Sequence, residues 1–407
     1  MSTTTFSALR AAAQQPATQT ASRPAVVEQH HVFDLTRSLA EVAAVSASDL
    51  HLSTGARVRW RLDGDLRDAP WAPVEPLGAE RLERELFSIL TEAQRESFAR
   101  DNELDFAYAI SKQSRFRVNY YRQRGRIGAA FRLIPNEIRP LGKLGMPARV
   151  SEFAYLPRGL VLVTGPTGSG KSTTLASLID VANANRDCHI VTVEDPIEFV
   201  HEHKRSIVTQ REVGVDTQSF NEALKRVLRQ DPDIILIGEL RDPESISVAL
   251  TAAETGHLVF GTLHTRDAAQ SVDRIIDSYP AGQQPQVRAQ LSGALRGVIS
   301  QTLVKRAGGG RVVATEVMRT TSAIAHLLRE GKTHQIPSAL QAGGELGMHT
   351  MDQDLARLVT EGTITKVAAL ERASDPAVLE SLMTGPTDWS RMTRETGRKM
   401  THDRSGR

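Results

Sequence analysis

The chain has 407 residues, room for roughly two or three domains of ordinary size. Its 40% hydrophobic and 24% charged residues give a normal soluble balance, and a formal charge of +2 argues neither for nor against a nucleic-acid partner. No apolar run approaches the ~18 residues of a membrane span, and the opening residues lack the basic start and apolar core of a secretory signal. The one cysteine, Cys188, excludes an internal disulfide and a cysteine-cluster zinc site, so a reducing, cytoplasmic setting is expected.

Residues 1–30 are rich in Ala, Gln, Thr and Ser, which predicts a disordered extension. Residues 31–135 predict a compact α+β domain. A helix over 35–45 leads into ASDLHLSTG. Alternating runs at 56–66, 106–109, 115–121 and 127–134 read as antiparallel strands, with helical spacing over 77–98 between them. Residues 136–157 read as a linker, interrupted by Pro140, Pro147 and Pro157. Over 158–320 short β-branched runs at 160–163, 190–193, 234–237, 258–263 and 312–317 alternate with helical stretches. That order predicts mostly parallel strands with helices on both faces. Residues 321–382 turn helical, at 323–329, 336–342, 351–361 and 366–373. Residues 383–407 are polar. From Asp388 they hold six Lys/Arg against three Asp/Glu, and read as a loose, solvated basic tail.

The most specific signal is GPTGSGKST: Gly165, Pro166, Thr167, Gly168, Ser169, Gly170, Lys171, Ser172 and Thr173. It lies between an apolar run and a helix-forming stretch, and Gly165, Gly170, Lys171 and Ser172 complete G-x-x-x-x-G-K-[ST]. Backbone N–H groups of such a loop cradle phosphates, and the helix N-terminus adds partial positive charge. Lys171 is expected on the β/γ-phosphates and Ser172 on Mg²⁺.

Hydrolysis also needs a positioned water and cationic charge. In a parallel α/β sheet the carboxyl ends of the strands form the ligand crevice. The run 190–193 delivers Glu194 and Asp195 there. The run 234–237 delivers Glu239 in a Walker B arrangement, and Glu239 is expected to polarise water or hold Mg²⁺ through water. Asp231 and Asp233 precede that strand, on the far side. The run 258–263 ends at His264, a candidate phosphate sensor. His257 starts the same strand, roughly 20 Å away at ~3.3 Å per residue, and a structural or intersubunit role is left to it. Arginines crowd the N-terminal domain at Arg115, Arg117, Arg122, Arg124, Arg126 and Arg132. Alternation puts Arg115 and Arg117 on one strand face. The P-loop domain offers no obvious arginine of its own, so a finger supplied across a subunit contact is expected.

Together these segments resemble the secretion or traffic ATPases, and specifically the PilT-type retraction motors of type IV pili. The resemblance runs from about residue 32 to 373. ASDLHLS at 47–53 is similar to the family's N-terminal signature, and RFRVN at 115–119 with Gln123-Arg124 to its arginine-bearing segment. GPTGSGKSTTLA resembles its Walker A, TVEDPIEFVH at 192–201 its "Asp box", DPDIILIGELRD at 231–242 its Walker B, and TAAETGHLVFGTLHT at 251–265 its "His box". SAIAHLLREGK at 322–332 loosely resembles the AIRNLIRE segment of retraction motors. GGELGMHTMDQDL at 343–355 resembles their C-terminal region, with His349 where Gln is commoner. Assembly motors differ, usually carrying a four-cysteine element.

The resemblance implies an α/β fold. A RecA-like P-loop domain with a mostly parallel sheet would follow a smaller α+β, PAS-like N-terminal domain and precede a helical C-terminal region. It implies ATP and Mg²⁺ as ligands, with Ser172, Glu194 and Glu239 toward the metal. It implies Glu239, Glu194, His264, Arg115, Arg117 and Arg124 as catalytic residues. It further implies a homo-hexamer at the cytoplasmic face of the inner membrane that pushes on a pilus platform protein. Membrane contact would come only through that partner, with a second retraction ATPase as a further partner and no direct nucleic acid. A PilU-type accessory motor, or one for secretion or DNA uptake, stays open, as does a nucleotide-binding regulatory subunit without turnover.

Overall fold

A computed structural model describes residues 33–384, apart from 46, 63, 112, 113, 135 and 136. The extension expected over 1–30 and the basic tail from 388 lie outside the described residues.

The N-terminal domain opens with α1 (Leu35–Ala44), β1 (Asp49–Ser53), β2 (Arg59–Leu62) and β3 (Asp65–Asp68). It continues through α2 (Ala79–Ser88), α3 (Glu92–Asp101), β4 (Glu103–Ser111), β5 (Ser114–Gln123) and β6 (Arg126–Ile134). The strands form an antiparallel sheet in the order β3-β2-β1-β6-β5-β4. The helical run over 77–98 is two helices, because Thr91 starts the second with a capping box to Gln94. Alternation divides β5: Phe116, Val118 and Tyr120 are fully buried in the domain core, which leaves Arg115 and Arg117 on the other face.

The second domain comprises β7 (Gly159–Thr164), α4 (Lys171–Asn185), β8 (His189–Glu194), β9 (Ile207–Glu212), α5 (Phe220–Val227), β10 (Ile234–Ile237) and α6 (Pro243–Glu254). There follow β11 (Leu258–Leu263), α7 (Ala268–Asp277), α8 (Gln284–Ala294), β12 (Leu295–Lys305) and β13 (Arg311–Arg319). Its sheet runs β13-β12-β7-β11-β10-β8-β9, with β12 and β13 antiparallel and every other pair parallel. Both faces are covered. Leu160 and Leu162 pack toward α5–α8, while Val161 and Val163 pack toward α4.

The residues between the domains are not free chain. Two 3-10 helices, Leu141–Leu144 and Ala148–Tyr155, bury Leu141 from the first and Val150, Phe153 and Ala154 from the second in the α4 side of the ATPase core. In the ATPase sheet two strands escape a sequence reading, β9 and β12. In β12 the polar Ser300 and Gln301 interrupt the apolar run, yet both are buried. Ser300 accepts from Thr164 at 2.9 Å, and the Gln301 amide donates to the Ser169 carbonyl at 2.7 Å. Both polar groups are there to brace the loop after β7.

The C-terminal region holds α9 (Ser322–Arg329), α10 (Ile336–Ala342), α11 (Met351–Thr360), α12 (Lys366–Leu370) and α13 (Pro376–Thr384). Leu355, Leu358 and Leu379 close a cluster with Val304 and Val312 of the β12–β13 hairpin. Among the described residues no helix is long and apolar enough to cross a membrane.

Candidate active site

The loop between β7 and α4 turns on three glycines with positive φ, Gly165, Gly168 and Gly170. Gly165 has φ +142, and a Cβ there would lie 2.2 Å from the Gln301 carbonyl oxygen. Gly170 caps α4 in the left-handed conformation, which turns the first N–H groups of that fifteen-residue helix into the loop. Lys171 folds back to donate to the carbonyls of Gly165 at 2.8 Å and Pro166 at 3.3 Å. Burial pushes its ammonium below the ordinary lysine value, against the pull of Glu239 and Glu198.

A cavity of about 490 Å³ opens above the loop, between the two domains. Thr167, Gly168, Gly170, Lys171, Ser172 and Thr173 line it. Gly165, Pro166 and Ser169 of the motif do not. Their carbonyls accept from Lys171 and Gln301 and so shape the cradle from behind.

Three strands deliver their carboxyl ends to the opposite wall, as the parallel order requires. Glu194 ends β8, Glu239 follows β10 and His264 follows β11, and all three line the cavity. His264 Nε2 stands 3.3 Å from Glu239 Oε1, and its Nδ1 lies 3.5 Å from the Thr167 hydroxyl of the P-loop. Arg241 reaches the other Glu239 oxygen at 2.8 Å. Partial burial raises the Glu239 carboxyl, but Arg241 and His264 outweigh it and hold it below the ordinary glutamate value. Glu194 differs. Burial pushes its carboxyl above the ordinary value, and donors from Thr192 at 2.7 Å and Gln210 at 3.1 Å oppose that only in part. The two carboxylates therefore have opposed electrostatic settings.

The arginines fall into separate places. Arg117 of β5 lines the cavity beside its cross-strand partner Arg132, which Asp49 of β1 holds at 2.8 Å. Two cations directly opposite one another repel, and an anion in the cavity would relieve that. Arg115 does not line the cavity. It donates to Glu212 at 2.6 Å and to the Ile197 carbonyl at 3.1 Å. Arg124 sits in the turn between β5 and β6 with φ +51, seven residues or roughly 23 Å from Arg117 at ~3.3 Å per residue. It is not among the groups around this chain's own cavity.

One expectation needs correction: the P-loop domain does hold arginines of its own at the cavity, Arg241 and Arg311. Arg241 follows Glu239 by two residues, a spacing that sequence reading passed over. His201 also lines the cavity; burial pushes its imidazole down to about 4, so it stays neutral near physiological pH. His257 lies at the start of β11, bonded to Ala252. Asp233 accepts from the His189 N–H at 2.8 Å, at the strand's far end.

Among the described residues no cluster of three or more His, Cys, Asp or Glu could hold a metal alone. The donor set suits a hard dication shared with phosphate oxygens: a hydroxyl at Ser172 on the loop, carboxylates at Glu194 and Glu239 across from it.

A family model described as Type II/IV secretion system protein matches residues 27–381. The chain is 51% identical over 344 residues to the type IV pilus retractation ATPase PilT of Pseudomonas aeruginosa, covering 84% of this chain and 99% of that one. It is 48% identical over 316 residues to the twitching motility protein of Neisseria gonorrhoeae, covering 77% and 84%. The crystal structure of the pilus retraction motor PilT with bound ADP superposes with a TM-score of 0.79 at 45% identity, over 86% of this chain and 99% of that one. The chain belongs to the Type II/IV secretion system protein family.

Proposed function

We propose that this chain is an ATP-hydrolysing motor that drives type IV pilus retraction. The observation that carries the reading is one cavity between two domains, lined by Thr167, Gly168 and Gly170–Thr173 of the P-loop, two carboxylates, His264 and cations from both sides. A cleft whose walls belong to different domains converts nucleotide turnover into relative domain movement.

ATP would lie with its phosphates against the 165–173 loop. Lys171 would exchange its two carbonyl acceptors for phosphate oxygens. Ser172, with Glu194 and Glu239, would hold Mg²⁺, which neutralises charge on the phosphates. Glu239 stays ionised between Arg241 and His264 and orients the attacking water. Glu194, at the end of β8 on the same wall of the cavity, would take the proton as water attacks the γ-phosphorus and ADP leaves. His264 links Glu239 to Thr167 and so reports the state of the γ-phosphate to the P-loop. Arg117 and Arg132 bring cationic charge from the N-terminal sheet. Arg124 serves a neighbouring subunit in a homo-hexamer. The ring works at the cytoplasmic face of the inner membrane, on a platform protein of the pilus.

The test is steady-state ATPase activity of wild type and Glu239→Ala, with particle mass measured in the same buffer. Turnover in wild type only, at a mass near six subunits, supports a ring motor. Loss of the gene should then leave pili that extend and do not retract. Tight ATP binding without turnover, with or without membrane partners, would make the chain a regulatory subunit.

A further inference from the structure

β9 is the edge strand of the ATPase sheet, and its register sets Gln210 opposite Thr192 and Glu212 opposite Glu194. Val208, Gln210 and Glu212 share one strand face, and Val208 anchors that face in the α4-side core. The Gln210 side chain uses every hydrogen-bonding group it has. Its Oε1 accepts from the His201 N–H at 2.7 Å. Its Nε2 donates to the Phe199 carbonyl at 2.8 Å and to Glu194 Oε1 at 3.1 Å. The Thr192 hydroxyl donates to the same Glu194 oxygen at 2.7 Å.

We propose that Gln210 is a positioning residue for ATP hydrolysis, fixing the Glu194 carboxylate and the loop over 196–201 against the cavity. The inference rests on the reading of Glu194 as a catalytic carboxylate. Holding the loop alone needs only the bonds to Phe199 and His201. The bond to Glu194 adds nothing to the loop. Instead it restrains a flexible side chain that otherwise has several rotamers, and such restraint is what a preorganised site requires. An amide is the group that fits. It donates to a carboxylate and a carbonyl while accepting from an N–H, and the isosteric glutamate cannot donate in that way.

The experiment compares Gln210→Ala and Gln210→Glu in the full chain, each alone and combined with Glu194→Gln. Turnover is read in steady state and, for slow variants, in single-turnover assays; affinity is read with a fluorescent ADP analogue. Gln210→Ala should lower kcat roughly tenfold or more, the usual effect of losing an outer partner, with ADP affinity within about twofold. Gln210→Glu should be worse, since it places a second acid beside Glu194. In the Glu194→Gln background neither change should cost more than about twofold, because the group being positioned is already gone. Normal kcat in Gln210→Ala beside a crippled Glu194→Gln overturns the proposal alone. So do losses that multiply, ADP affinity that falls with kcat, or a milder Gln210→Glu; each marks a merely structural role. Normal turnover in Glu194→Gln itself sinks the reading of Glu194, and this proposal with it.

Discussion

Arg115 on the N-terminal sheet donates to Glu212 of the ATPase sheet at 2.6 Å, and Glu212 in turn accepts from the Ile197 N–H at 3.1 Å. The pair joins the two domains beside the loop that follows Glu194. Its carboxylate is almost wholly buried, at 5% side-chain exposure, while Arg115 keeps 21%. Arg115→Ala leaves that carboxylate unpaired. We expect the unfolding free energy to fall by about 2–3 kcal/mol, the low side for a pair still partly in water. Denaturant midpoints measure it, and Arg115→Lys should fall between. An unchanged midpoint would mean that the domains part in solution without cost.

Lys171 has no carboxylate partner, only two carbonyls of its own loop. Phosphate replaces those weak acceptors with a charge-assisted bond. Lys171→Ala should therefore weaken nucleotide binding at least about tenfold, as read by titration with a fluorescent ADP analogue. Equal affinity would place the phosphates elsewhere.

Glu239→Ala should retain ATP binding and lose turnover by about 10²–10³-fold, the scale of removing one transition-state group. Arg241→Ala should cost less, since His264 still holds the other Glu239 oxygen. Should Glu239→Ala turn over normally, the water-orienting role passes to Glu194 as well.

Arg124 lies on a turn remote from its own cavity. If it acts across a subunit contact, Arg124→Ala and Glu239→Ala subunits mixed together should recover part of the activity that each lacks alone. Mixing experiments in which rate never exceeds the two separate preparations would leave Arg124 without a role in trans.

Glu316 of β13 accepts from Ala268, at the start of α7, at 2.8 Å. Burial pushes its carboxyl up to about 7 from 4.5, and Asp267 and Asp352 add to the shift. Between those two values the folded state binds more protons than the unfolded one, so this group's contribution to stability falls as pH rises. Glu316→Gln removes the titration. Wild type should lose stability relative to that variant from about pH 5 to about pH 7.5, by about 3 kcal/mol at most. Parallel melting curves over that range would show the carboxylate to be ionised in the fold.

The P-loop was legible because its chemistry is local: nine consecutive residues make their own turn, and a strand and helix on either side are enough to identify it. Glu194, Glu239 and His264 were legible for a related reason. In a parallel sheet every strand end points to the same crevice, so chain position gives side of sheet. The phosphate cradle's support was not. Ser300 and Gln301 read as interruptions of β12 and are buried only because Thr164 and Ser169, more than a hundred residues away, meet them.

The sequence by itself determined the domain with the P-loop, the strand ends that face it and the family resemblance, since each depends on short-range pattern. Only the tertiary structure decided which arginines share the cavity. Arg115 and Arg117 lie on one strand face by alternation, yet one is tied to Glu212 and the other lines the cavity with Arg132. Arg241 stands on Glu239, and Gln210 reaches Glu194 from an edge strand. The Arg241 pairing is local, but the others depend on how two sheets are set against one another and on strand register, long-range contacts for which a single sequence carries no periodic signal.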